Sequence, residues 1–233
     1  MKAFVLMAIA LICSLSGIAQ TRIDARDIIR QINEGKTVSY TGAEISGDLD
    51  LTNLNNRRNT KSSHNWFGYG NDLYESTVDV SLTFVNCTFT GDVIAYYHVE
   101  QDDDTYIAHF DRDVVFKGCT FKRASEFKYS EFDGQTDFSG STFNRNANFK
   151  YAEFSDGPSF ANCRFEDDAD FKYTEFPRNT SFERTTFYGH ANFKYTKFTT
   201  PLNVNNIAFN GSEDFKYTKV DGQSFTSYLL RNK

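Results

Sequence analysis

Between Phe116 and Phe198 the chain places 16 Phe residues at alternating gaps of five and six, without a miss. Four of them, Phe127, Phe149, Phe171 and Phe193, open a Phe-Lys-Tyr triplet, and Phe215 opens a fifth beyond the run, always 22 residues apart. A fixed short period is what a solenoid writes into its sequence, because each repeat is one coil that buries its apolar side only against the next. Of 24 Phe in the chain, 21 fall on this beat, so the core is a stack of Phe rings and the outer surface carries whatever function there is.

The flanks of the repeat have their own logic. Residues 1–19 read as a secretory signal, with Lys2, an apolar run from Phe4 to Cys13 and Gly17-Ile18-Ala19 before Gln20. The run is too short for a membrane span, and no other stretch in the remaining chain qualifies. Export to the periplasm, to the outer membrane or into the medium is expected. Residues 20–36 predict a helical cap, with Asp24 as N-cap, Ile28, Ile29 and Ile32 on one stripe and Gly35 as the stop. A stack of coils has open strand ends that need such a cover. Residues 37–233 are then solenoid, interrupted by a loop over 55–77 and an irregular corner over 98–113.

Export permits disulfides, yet Cys87, Cys119 and Cys163 each stand two residues before a beat Phe, where Ser, Thr and Ala stand elsewhere. They read as small buried fillers. Cys119 and Cys163 lie two coils apart, roughly 10 Å at one strand spacing per coil, beyond disulfide reach. Three free thiols are expected.

The unit of a small residue, a variable one, Phe and two polar residues, as in Ser-Glu-Phe-Lys-Tyr and Ala-Glu-Phe-Ser-Asp, resembles the pentapeptide-repeat family over about residues 78–225. The resemblance implies an all-β fold, a right-handed, four-sided parallel β-helix in which the small residue and the Phe both face inward. The family's coil has four units of five. Here every second unit has six, giving about 22 residues per coil, and the extra residue falls in segments such as Asp133-Gly134 and Asp156-Gly157-Pro158 that carry turn chemistry. Tight and bulged corners are expected to alternate.

Outward positions hold the functional candidates, because the core does not dictate them. Lys128, Tyr129, Lys150, Tyr151, Lys172, Tyr173, Lys194, Tyr195, Lys216 and Tyr217 form two parallel ladders. They read either as a solvated, mutually paired face kept by duplication of one unit, or as a docking stripe for an envelope protein or an anionic glycan, with Tyr rings giving contact area and Lys giving donors. In the 55–77 loop, Arg57, Arg58, Trp66, Phe67 and Tyr69 form a second candidate, a partner-binding cluster or a lid over the first coil. The acidic runs at Asp102–Asp104 and Glu166–Asp168 lack the spacing and glycine of a calcium loop. No catalytic residue, metal site or cofactor motif is legible.

The net charge of −6 argues against nucleic acid as a partner. The leading expectation is a non-catalytic binding or scaffold module of a bacterial cell envelope. The alternative is a carbohydrate-active enzyme on a β-helix, which would need a groove walled by the 55–77 loop and the 98–113 corner. Some cytosolic pentapeptide-repeat proteins mimic DNA; export and the Lys ladder set this chain apart from them. Residues Phe225 to Leu230 are expected to cap the last coil or to pair two solenoids as a homodimer.

Overall fold

The computed structural model describes residues 20–60 and 72–232. Residues 1–19, read above as a secretory signal, lie outside the described residues together with Trp66, Phe67 and Tyr69. The described chain is a solenoid of parallel β-sheet. An eight-stranded sheet begins at Arg22–Asp24 and ends at Ala208–Phe209, and a seven-stranded sheet begins at Leu49–Asp50 and ends at Glu213–Asp214. A ten-stranded sheet includes Glu131–Phe132, Glu153–Phe154, Glu175–Phe176, Lys197–Phe198 and Lys219–Val220. A four-stranded sheet runs from Val38–Thr41 to Thr136–Asp137, and isolated bridges at Ser159 carry it on to the pair Thr180–Ser181 and Leu202–Asn203. Equivalent residues sit side by side: Phe121 beside Phe143, Phe143 beside Phe165, Phe165 beside Phe187.

This register stacks like on like. Phe121, Phe143, Phe165, Phe187 and Phe209 form one column with ring centroids 4.6, 4.7, 4.9 and 5.1 Å apart and nearly parallel planes. Phe127, Phe149, Phe171 and Phe193 form another at 5.1, 5.2 and 4.9 Å. Neighbouring columns meet edge to face, as in Phe171 against Phe182 at 90°, so each ring uses both favoured aromatic geometries. The rings are buried from Phe84 to Phe198 and become half-buried only at Phe209 and Phe215.

The small inward position does more than fill space. Thr174, Thr185 and Thr196 donate to the carbonyls of Phe149, Phe160 and Phe171 at 2.7, 2.6 and 2.7 Å, and Ser141 donates to that of Phe116. Each bond ties one coil to the coil before it and satisfies a buried carbonyl. The thiols take the same role, Cys163 toward Phe138 at 3.0 Å and Cys119 toward Phe84 at 3.3 Å. Cys163 stands two coils from Cys119, but Cys87 precedes Thr88, the direct neighbour of Thr120, so Cys87 and Cys119 are adjacent rungs. The contact with Cys87, and burial, push the Cys119 thiol well up; burial, with the charge of Asp137, does the same for Cys163. All three cysteines are buried and unbridged.

Helix α1 (Ala25–Asn33) packs on the first strands. Asp24 caps it, accepting from the Arg26 backbone at 2.9 Å, and the Arg26 hydrogen bonds hold its carboxyl down at about 2. Ile28 and Ile32 are buried, whereas Ile29 is half-buried; Gly35 ends the helix at φ +68°. Helix α2 (Phe225–Asn232) closes the other end, with the Phe225 ring 5.1 Å from those of both Phe198 and Phe215 and the Tyr228 hydroxyl donating to the Leu202 carbonyl.

Two expectations need correction. Residues 55–77 are not loop throughout: Arg58–Asn59 pairs antiparallel with Leu73–Val78, so the insertion leaves the solenoid on a hairpin stem. Residues 98–113 are not a distorted corner either. Tyr96–Val99 and Asp104–Phe110 form a second antiparallel hairpin, and its longer strand lies parallel to Leu73–Val78. The two hairpins extend the ten-stranded sheet sideways as a wing. Near their inner ends both long strands keep a period-two burial, Ser76 and Val78 buried on either side of Thr77, and Ala108 and Phe110 on either side of His109. At the wing's neck the Ala108 backbone donates to the Ala95 carbonyl. Ala95 is the rung equivalent to Phe127, and in the next coil the buried Ser130 hydroxyl finds no partner among the described residues.

Candidate functional site: the Lys–Tyr edge and the acid–amide groove

The five ladder tyrosines occupy a chain corner. Tyr129, Tyr151, Tyr173, Tyr195 and Tyr217 all have φ between 58° and 63°. The left-handed region costs an ordinary residue roughly 1–2 kcal/mol, and another corner of the solenoid fills it mostly with Gly118, Gly140, Asn162 and Asn206. Tyr has no backbone preference for this position. What offsets the strain is the column: neighbouring rings are 5.0, 4.6, 4.8 and 4.9 Å apart. Each Lys ammonium lies over the ring that follows it, from 4.7 Å at Lys128 to 5.6 Å at Lys194.

This geometry corrects one expectation. The Tyr faces are spent on one another and on the lysines, which leaves ring edges and hydroxyls as the outward part of the column. Burial, with Tyr151 and Tyr96 beside it, pushes the Tyr129 hydroxyl up to about 12. Burial lowers Lys128, and burial with Lys128 and Lys172 nearby lowers Lys150.

Beside the Lys row runs a row that alternates in chemistry. On the outer face of the seven-stranded sheet, Glu126, Asn148, Asp170, Asn192 and Asp214 stand in direct register. Carboxylates on successive rungs would sit about 4.8 Å apart; the interposed amides double that distance. Asn148 also donates to Glu126 at 2.7 Å. Burial raises the carboxyls of Glu126 and Asp170 above the ordinary range, against the pull of Asn148 on the first and of the Lys172 backbone and lysines on the second. Glu126, Asn146, Asn148, Asp168, Asp170 and His190 line an open groove of about 200 Å³. This row was not singled out in the sequence analysis above. The recurrence of Ala-Asn-Phe-Lys-Tyr in alternate coils was the available signal.

The wing joins this edge. Tyr96 extends the column, 5.8 Å from Tyr129, and its hydroxyl accepts from Lys128 at 2.9 Å. The next residue, Tyr97, stacks the other way, on Tyr106 at 4.4 Å, and Tyr106 stacks on Tyr74 at 4.7 Å. Arg57, singled out by sequence, lies 5.4 Å from the Tyr106 ring; Arg58 is an exposed strand residue. Neither Arg reaches the groove row. Asp103 sits in the turn of the second hairpin at positive φ, and Glu166 is bound by Arg164 at 2.9 Å. Among the described residues no group of three or more His, Cys, Asp or Glu is placed to hold a metal ion, and no helix is long and apolar enough to cross a membrane.

A family model described as Pentapeptide repeats (9 copies) matches residues 108–153 and 149–197. The matched segment is the one that carries most of the Phe columns, four of the five Lys–Tyr pairs and the groove. No curated protein and no solved structure matches the chain.

Proposed function

We propose that this protein is an exported, non-catalytic binding or scaffold module of the bacterial cell envelope, built as a right-handed, four-sided β-helix of about 22 residues per turn. The registers of its four sets of strands support that geometry, and the leader-like residues 1–19 support export. The observation that carries the function is the pair of parallel rows on one edge: an ammonium and a hydroxyl-bearing ring at every rung, beside alternating carboxylate and amide. The Phe core requires none of these. An extended anionic glycan fits them. Its carboxylates meet the Lys row and its hydroxyls meet the Glu, Asn and Asp row, one rung at a time, while the Tyr column keeps the edge stiff.

The test is binding to an envelope-glycan array. Changing Lys150, Lys172 and Lys194 together to Glu is expected to abolish retention of acidic glycans while circular dichroism stays unchanged. Retention equal to the parent protein would end this reading. Arg57 and Arg58 at the wing offer a second contact region for the same partner.

A further inference from the structure

On the outer face of the ten-stranded sheet, one column sorts its charges by height. In register order it reads His109, Glu131, Glu153, Glu175, Lys197, Lys219. From Glu131 onward every one of these side chains is exposed. Three carboxylates on successive rungs repel, and no amide is interposed as on the neighbouring sheet. The cost is visible at Glu153, where burial and the charges of Glu131 and Glu175 push the carboxyl above its ordinary range. At the two ends of the acidic run, local partners help: Lys197 bonds Glu175, and His109 lies 3.9 Å from Glu131. Glu153 and Lys219, three rungs apart, take no part in the ion pairs of the described residues.

We propose that this face pairs with the same face of a second copy, the two solenoids antiparallel about a twofold axis that crosses the column between Glu175 and Lys197. The axis turns the column end for end. Glu153 of each copy then meets Lys219 of the other, and the two Glu175–Lys197 bridges close into a ring of four charges. Glu131 meets Ser224, because Ser224 stands opposite Lys219 as the next rung of the sheet. The adjoining outward column follows the same operation without conflict: Ser155 faces Asp221, and Pro177 faces Thr199. Only an antiparallel arrangement does this; a parallel one lays like charge on like charge, acid on acid from Glu131 to Glu175 and lysine on lysine at Lys197 and Lys219. A patch that is its own complement under a twofold axis is the condition for an isologous dimer. The unpaired Glu153 and Lys219 are the groups that gain most, and the attraction is one that salt weakens.

Sedimentation velocity of the purified protein tests the proposal. At low ionic strength the parent protein should sediment at twice the protomer mass, and at roughly 0.5 M salt at the protomer mass, since the Debye length there falls to a few ångströms. The variant Glu153→Lys/Glu175→Lys leaves only lysines over these four rungs, and Lys197→Glu/Lys219→Glu leaves only glutamates. Each alone is expected to be monomeric with an unchanged circular dichroism spectrum. Mixed, they should form a heterodimer. Lys219→Glu alone should weaken the dimer at least tenfold. A parent protein that stays monomeric at about 100 µM and low salt overturns the proposal. A dimer that persists in both charge-uniform variants overturns it as well, and assigns pairing to another surface such as α2.

Discussion

Truncating Phe171 to Ala tests the energetics of the core at a fully enclosed point. The side chain has no exposed surface. Its ring lies parallel to Phe149 at 5.2 Å and to Phe193 at 4.9 Å, and it meets Phe160, Phe165, Phe176 and Phe182 at 5.4 to 5.9 Å. A buried Phe→Ala change costs about 3–5 kcal/mol, more where the site cannot collapse. Here it cannot, because the walls are hydrogen-bonded rungs fixed above and below. Both faces of a stack are also lost, each aromatic pair contributing about 0.5–1.5 kcal/mol beyond area. The upper end, about 4–5 kcal/mol, is therefore expected. With m of about 2–3 kcal/mol/M, the urea midpoint should fall by about 1.5–2.5 M. Phe215→Ala is the internal control: its ring is half-buried near the C-terminal end, and about 1–2 kcal/mol should be lost at one end of the stack. Unfolding followed by far-ultraviolet circular dichroism, with m unchanged, measures both. A shift below about 0.5 M for Phe171→Ala, or equal shifts for the two variants, would refute the account of a rigid column.

Two further outcomes follow from the buried groups. Cys87, Cys119 and Cys163 should resist a thiol reagent in the native protein and react once it is denatured, because they are buried and Cys119 and Cys163 have thiols held high; rapid labelling of the folded protein would contradict this. Glu126 and Asp170 have folded-state values raised by burial, so each binds a proton more readily folded than unfolded. Their contribution makes the protein more stable as pH falls from above the folded value to the unfolded one, near 4. The double variant Glu126→Gln/Asp170→Asn should be the more stable protein near pH 7, with the parent gaining on it as pH falls toward about 4; parallel pH profiles would sink the assignment.

The Phe rhythm was legible in the sequence because burial of a repeated ring admits one periodic solution, and the small residue before each Phe was legible for the same reason. That this residue is also a hydrogen-bond donor to the previous coil was written in Thr174, Thr185 and Thr196, but space-filling alone explained their size. The hairpins at Arg58 to Val78 and Tyr96 to Phe110 escaped notice because they depart from the period. Search for one repeat hides a second pattern of period two. The Lys–Tyr ladders were visible as residues, yet not the direction their rings face. That depends on the left-handed backbone at each Tyr, where sequence alone gives no cue for an aromatic residue. The acid–amide row lay in plain sight at alternate coils and was overlooked because attention to charge passes over Asn.

That alternation has a consequence for how such a chain finds its own register. Phe143, Phe165 and Phe187 are interchangeable to the core: a coil that skipped one level would still lay ring upon ring and lose little. Outside, the levels are not interchangeable. A slip of one coil would set Glu126 beside Asp170, or Asn148 beside Asn192, and would bring Lys197 to a rung meant for an acid. A core that repeats itself gives each turn of the chain no address. Glu126, Asn148, Asp170 and Asn192 number the floors.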